Sequence, residues 1–328
     1  LSTYGQKKFK TPNIDRLAKE GIKFLQHYSG STVSAPSRSV LMTGRHTGHT
    51  QIRGNQPVQP EGQAPLKSSV VTVAELLQDA GYVTGAYGKW GLGYPGSEGD
   101  PNNQGFDEFY GYNCQRYAHR YYPEHLWHNQ KKINLKNDGT EKITYAQDVI
   151  QKEALDFIEK NKSKPFFLYL PYLIPHAELV VPNDDIIARF KGEFPEEPYN
   201  GNDYGENFNY GGYCSVENPR AVFAAMVVRL DRYVKEINNK LKEMDIDSNT
   251  VVMFTSDNGP HLEGGADPHF FNSNGPFRGH KRDFYEGGIR VPFIVRWPAT
   301  IEPNRVSNHI SGFSDFLPTV CDMTGIKT

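Results

Sequence analysis

Short apolar runs bounded by Gly, Pro or charged residues recur at positions 83–90, 165–173, 250–256 and 291–297. Their β-branched and aromatic content predicts buried strands. Helical patterns alternate with them. Thr11-Pro12-Asn13 reads as an N-cap with proline in the first turn, ahead of a helix that carries Ile14, Leu17 and Ala18 and stops at Gly21. A helix over 73–80 ends at Gly81 in the same way, and longer amphipathic helices are predicted over 145–161 and 220–244. Strands alternating with helices imply an α/β fold: a mostly parallel central sheet with helices on both faces. In such a sheet the ligand crevice lies beyond the carboxyl ends of the strands, so polar clusters just after strands are where chemistry is expected. The stretches 91–137 and 195–219 read as long loops, which in a compact domain are more often functional than accidental. No repeat, heptad pattern or linker divides the chain, which favours one large domain over two.

Composition narrows the classes. Among 328 residues, 36 Lys and Arg face 38 Asp and Glu, a balance that argues against coating nucleic acid or an anionic membrane. The longest apolar run, 166–174 with Pro171 inside it, is far short of the ~20 residues that span a bilayer. Cys114, Cys214 and Cys321 are too scattered for a disulfide framework or a clustered zinc site. No signal-peptide pattern opens the chain.

Four clusters carry candidate chemistry. In Ser34-Ala35-Pro36-Ser37-Arg38, Pro36 suits a helix's first turn and places Ser34 at its positive end beside Arg38. That suits a nucleophile facing an anion; the same residues also read as a capping serine before an ordinary helix. Gly88-Lys89-Trp90-Gly91 closes a predicted strand, where Lys89 either holds an anionic oxygen or is one more solvated lysine in a glycine turn. His176 follows the 165–173 run and is either an acid or base near neutral pH or a structural histidine. Asp257 and Asn258, after the 250–256 run, supply hard oxygen ligands for Ca²⁺ or Mg²⁺, or an Asx turn. The run from Phe277 to Pro292 gathers cations, Lys281 among them, around Gly287-Gly288, which implies a tightly constrained backbone.

Taken in this order, the clusters resemble the formylglycine-dependent sulfatases of the alkaline-phosphatase-like superfamily. Ser34-Ala35-Pro36-Ser37-Arg38 resembles that family's Cys/Ser-x-Pro-x-Arg maturation signature, and Gly88-Lys89-Trp90 its second signature. Asp257-Asn258 resembles its second metal pair. Tyr285-Glu286-Gly287-Gly288-Ile289-Arg290-Val291-Pro292 resembles the stretch after its active-site lysine, which falls on Lys281, and Thr11-Pro12-Asn13-Ile14-Asp15-Arg16-Leu17-Ala18 is also typical. The resemblance implies a sulfatase catalytic domain over 1–328. It also implies oxidation of Ser34 to formylglycine by a maturation enzyme. One hydroxyl of the hydrated aldehyde attacks sulfur, and the second lets the sulfated intermediate collapse and release sulfate. On this reading Arg38 orients the nucleophile, Lys89 and Lys281 clamp sulfate oxygens, and His176 is an acid or sulfate-binding group near the leaving oxygen. Asp257 and Asn258 would hold a calcium ion.

Three departures from the family pattern bear on this. Leu1-Ser2-Thr3-Tyr4-Gly5 resembles the residues just after the family's Asp-Asp metal pair, so the expectation is a domain lacking that first strand and its carboxylates, and also the smaller C-terminal subdomain. The metal site is then half built and the fragment as given inactive. Gly91 stands where many members have histidine, with His119 or His261 as possible stand-ins. Serine at 34 fits either a serine-type enzyme matured by radical chemistry or a Cys→Ser change that blocks turnover. For the substrate, the aromatic stretch 105–112 with His119, Tyr121 and Tyr122 reads either as a sugar-stacking surface or as a packed aromatic loop. Arg53, His119, His261 and Glu263 are candidates for binding sugar hydroxyls. The expectation is an exo-acting carbohydrate sulfatase rather than a simple aryl sulfatase, located in the periplasm or secreted. Rivals are a phosphate or phosphonate ester hydrolase of the same superfamily and a non-catalytic binder of sulfated glycans.

Overall fold

The computed structural model describes residues 1–205 and 212–327. The first half runs α1 (Pro12–Lys19), β1 (Ile22–Tyr28), α2 (Ser34–Thr43), β2 (Pro57–Val58), β3 (Gly62–Gln63), α3 (Val73–Asp79), β4 (Val83–Lys89), β5 (Glu108–Tyr112), β6 (His125–His128) and β7 (Lys131–Asn134). The second runs α4 (Ala146–Asn161), β8 (Phe166–Tyr169), α5 (Asp185–Ala188), α6 (Pro219–Glu243), β9 (Val252–Thr255), α7 (Glu286–Ile289), β10 (Arg290–Arg296), β11 (Arg305–Gly312) and α8 (Phe316–Thr324). All four predicted strands are present, and the long helices begin and end within a residue of their predicted bounds. The cap of α1 differs from expectation. Thr11 makes no side-chain cap bond; instead the Asp231 carboxylate on α6 accepts from the amides of Asn13 and Ile14 at the helix's positive end.

The fold is α/β, with helices on both faces of a sheet. Residues on β4 and β5 alternate between two cores: Tyr87 and Tyr110 pack with α4 and α6, while Ala86 and Phe109 pack with α2, α3 and α8. The expectation of a mostly parallel sheet needs correction. Among the described residues β4 pairs in parallel with β5 and β8, and β1 with β11, but the ladders β1–β10, β9–β10, β5–β6 and β6–β7 are antiparallel. Buried runs look alike in either direction, and the tight β6–β7 turn, with Asn129 at φ 53°, allows antiparallel pairing alone.

The stretch 91–137 is likewise no structureless loop, since it contributes β5, β6 and β7. Its aromatic segment is packed inside: Phe106, Phe109, Tyr110, Tyr112, Tyr121 and Tyr122 are all buried, so the packed reading replaces the sugar-stacking surface there. Of the stretch 195–219, positions 206–211 lie outside the described residues. The three cysteines are buried and unpaired, and no helix among the described residues is long and apolar enough to cross a membrane.

The strands form a four-stranded sheet in the order β11-β1-β10-β9 and a five-stranded one in the order β7-β6-β5-β4-β8. β8 and β9 are therefore edge strands, and both line one cavity of about 1930 Å³ that also reaches Arg38, Lys89, Asp257 and Asn258. Their side chains are half-buried, where the cores on either side are closed.

Candidate active site

The chain turns at one end of the molecule after β1, β4, β8 and β9 and before β10, and those five turns carry the predicted chemistry. Ser34 opens α2, a helix with all ten residues buried. It is not a cap: the N-cap is Val33, with no side-chain cap bond, and the Ser34 hydroxyl points to other elements. Its Oγ donates to Asn258 Oδ1 at 3.3 Å and accepts from Lys89 Nζ at 3.3 Å. Arg38, one turn on and 1% exposed, is held by its surroundings. Nε donates to Ser34 O at 3.2 Å, one terminal nitrogen to the carbonyls of Lys89 and Trp90, and the other to Gln115 Oε1. Asp257 lies 3.6 Å from its Nε.

Lys89, at the end of β4, is lowered to about 7, first by burial and then by Arg38, with Asp257 pulling the other way. Lys281 reaches the same region from the turn before β10, where Gly287 and Gly288 admit neighbouring carbonyls: a Cβ at either would lie 2.1 or 2.0 Å from Gly279 O or Asp283 O. The constrained backbone expected there is present. Lys281 Nζ sits 2.6 Å from His176 Nε2 and 2.8 Å from Glu263 Oε2. His176 Nδ1 is 2.5 Å from the Ala177 carbonyl, which assigns the ring proton to Nδ1 and leaves the Nε2 lone pair facing Lys281. Burial first, then Lys281, hold His176 well below the usual 6.5, so the ring is neutral.

The recognition residues fare unequally. His119 stacks on His176 with ring centroids 5.2 Å apart, and among the described residues its ring nitrogens have no hydrogen bond, so it can meet a ligand. His261 needs correction. It joins the same stack, but Nε2 donates to Pro175 O and Nδ1 accepts from Glu263 N, so both nitrogens are committed to backbone. Glu263 is also engaged, by Lys281 and Arg282, and serves as the anion that holds these cations. Arg53 is exposed and bonds the carbonyls of Thr50 and Gly48; no contact among the described residues joins it to the cluster. Sequence reasoning missed Gln115, Asn55, Tyr213 and Arg282. Tyr213 packs against His119 with centroids 5.2 Å apart, and Arg282 has φ +81°, an unusual backbone for a non-glycine residue and a legitimate sign of a functional turn. Neither leaves a mark in local sequence.

For a metal, Asp257 and Asn258 are the right oxygen donors but too few. Calcium takes six to eight oxygens, and no cluster of three or more His, Cys, Asp or Glu with metal-binding geometry occurs among the described residues. The side chains in hand do not complete such a site. What they do form is a buried hydroxyl in the first turn of α2 that Lys89 contacts, with Arg38 braced on the backbone behind it and Lys281 near enough to act on the charge of Lys89, a set of cations that suits an oxyanion.

The sulfatase family model matches residues 1–326. The chain is 32% identical over 349 aligned positions to an arylsulfatase of Hemicentrotus pulcherrimus, covering 99% of this chain and 56% of that protein. It is likewise 32% identical to the N-acetylgalactosamine-6-sulfatase of Canis lupus familiaris, covering 99% of this chain and 60% of that one. It thus spans less than two thirds of either relative. The crystal structure of Ps i-CgsB in complex with k-i-k-neocarrahexaose superposes with a TM-score of 0.79 at 30% identity, covering 100% of this chain and 69% of that one. The order of the motifs, their convergence in space and a match along almost the whole chain agree: this chain belongs to the sulfatase family.

Proposed function

We propose that this chain forms the catalytic core of a sulfuric ester hydrolase acting on a sulfated carbohydrate, with exo action, through formylglycine made from Ser34 by a maturation enzyme. The observation that carries the reading is Ser34 Oγ, held 3.3 Å from Lys89 Nζ at the start of a buried helix and braced by Arg38. The printed activity of the N-acetylgalactosamine-6-sulfatase relative supports a sulfated sugar as substrate. Arg38 fixes the nucleophile's backbone, and Lys89 and Lys281 neutralise the sulfate oxygens. The His176–Lys281 pair holds a proton between Nε2 and Nζ for the departing alkoxide, and the stacked His119 faces the sugar.

Calcium belongs to this proposal together with more oxygens than Asp257 and Asn258 supply. The cavity between β8 and β9 is where a further strand, carrying carboxylates toward Asp257, would complete both the sheet and the ion's shell. A bound ion would polarise the sulfate and favour the ionised nucleophile. Location in the periplasm or outside the cell is part of the same reading, and fractionation of the native host tests it.

Paired assays on the matured full-length protein test the reaction, comparing 4-nitrophenyl sulfate with 4-nitrophenyl phosphate, and terminally with internally sulfated oligosaccharides. Mass spectrometry of the peptide holding residue 34 accompanies them. Loss of two hydrogens at Ser34 with preference for terminal sulfate is expected. A marked phosphate preference means an ester hydrolase of the other kind. An intact serine in protein from its native host, with sulfated sugar bound and not cleaved, means a binder.

A further inference from the structure

The space beside Arg38 that a side chain at position 91 would fill is occupied by Gln115. Gly91 has φ +66°, and a Cβ built on it would lie 2.6 Å from Gln115 Cγ and 2.9 Å from an Arg38 terminal nitrogen. Both distances are shorter than real Cβ contacts, so a side chain at 91 and the glutamine at 115 exclude one another. Topology explains how Gln115 arrives there. The chain leaving β4 stays paired with the chain leaving β5, through Trp90 N to Tyr112 O at 2.8 Å and Gly91 N to Asn113 O at 3.1 Å. Two residues further on, Gln115 turns inward and is 6% exposed.

Its amide bridges two side chains. Oε1 accepts from Arg38 at 2.5 Å, and Nε2 donates to Asn55 Oδ1 at 3.0 Å. The same Asn55 oxygen accepts from Ala35 N at 3.1 Å, while Arg38 Nε donates to Ser34 O at 3.2 Å. Ser34 O and Ala35 N belong to one peptide bond. Arg38 therefore grips its carbonyl, Asn55 grips its N–H, and Gln115 joins the two grips into a closed ring. The N–H of Ala35, in the first turn of α2, has no acceptor within the helix; Asn55 supplies one, and the ring ties it to the carbonyl of the same peptide, whose tilt sets where the residue-34 side chain points.

We infer that Gln115 is a positioning residue for the nucleophile: through Arg38 and Asn55 it clamps the Ser34–Ala35 peptide, and Gly91 is the gap that admits it. The inference rests on Ser34 being the nucleophile's precursor, and its experiment has one readout that does not need turnover. In the full-length protein from its native host, Gln115→Leu keeps the shape and removes both hydrogen bonds. With 4-nitrophenyl sulfate, kcat falls at least tenfold while KM stays within twofold and conversion of residue 34 is unchanged. Asn55→Leu has a similar effect, and the double variant is no worse than Gln115→Leu, because one ring can be opened only once. Amide exchange at Ala35 quickens at least tenfold in Gln115→Leu. If Gln115→Leu does not fold, Gln115→Glu replaces it. It keeps the Arg38 contact but cannot donate to Asn55, and a three- to tenfold drop in kcat with quicker exchange at Ala35 is expected. Wild-type kcat in a folded variant, or losses that multiply in the double variant, overturn the inference. If the wild-type protein cleaves no sulfate ester, the proposed function has failed and the exchange at Ala35 still decides the clamp: unchanged exchange overturns it.

Discussion

The two ends of the site are built differently. Around Arg38 three of the partners are backbone carbonyls, those of Ser34, Lys89 and Trp90, and the guanidinium is buried. Around Lys281 and Glu263 the ionic partners are other side chains carried on turns, with His176 at the boundary between the two ends and Arg282 and Tyr213 at the margin. Backbone partners cannot change without changing the fold, whereas side-chain partners can be exchanged one at a time. On the proposed function, the inner end would serve the chemistry at sulfur and the outer end would tell one alcohol from another. The consequence is that inner substitutions act on kcat and outer ones on KM.

Arg38→Lys tests the inner end most severely. An ammonium cannot reproduce the fork that spans Ser34, Lys89, Trp90 and Gln115. Turnover of an aryl sulfate should fall roughly 10²- to 10³-fold, the scale of losing an oxyanion-stabilising group. A loss under threefold would show that the inner end is not rigidly specified. At the boundary between the two ends, His176→Gln removes the partner of Lys281 and should lower kcat about 10²-fold. The drop should shrink as the leaving group becomes more acidic; equal losses for aryl and sugar sulfates would deny the pair its role with the leaving oxygen.

The imidazole stack supplies a prediction on stability. His119 is lowered to about 3 and His261 to about 4, each by burial first. Both therefore bind protons more weakly folded than unfolded. Their contribution is complete above pH 6.5 and is lost as pH falls below it toward those values. Between pH 7.5 and 5.5 each should remove on the order of 1 kcal/mol, seen in urea unfolding. His119→Gln should flatten that pH dependence by one group's share, and an unaltered slope would contradict the burial account. A smaller effect is expected from Glu263→Gln, which frees Lys281 and Arg282 at the outer end. KM for a sulfated sugar should rise roughly fivefold with kcat within twofold, and the opposite split would dissolve the distinction between the ends. Arg53→Ala should change neither constant, because its guanidinium serves the carbonyls of Gly48 and Thr50.

The inner end was legible from sequence because its residues lie in short motifs at strand ends. Ser34 and Arg38 are one helical turn apart, Lys89 closes β4, and Asp257-Asn258 closely follow β9, so local spacing carries their geometry. The outer end was less legible. His261 and Glu263 read from sequence as binders of sugar hydroxyls, and the fold gives them other partners: Pro175 O and the Glu263 amide for His261, Lys281 and Arg282 for Glu263. Whether a polar side chain is free depends on what folds against it, and that partner can sit 86 residues away, as Pro175 does from His261.

The order of apolar and polar positions settled the alternation of strands and helices, the long-helix bounds and the strand ends near which Ser34, Lys89 and Asp257 lie, because these follow from periodicity and from residues close in the chain. Strand direction, the cleft between β8 and β9, the burial of the aromatic stretch and the placement of Gln115 beneath Gly91 depended on packing between distant segments. A buried run reads the same in a parallel or an antiparallel sheet, and a glycine does not announce which side chain fills the space it leaves.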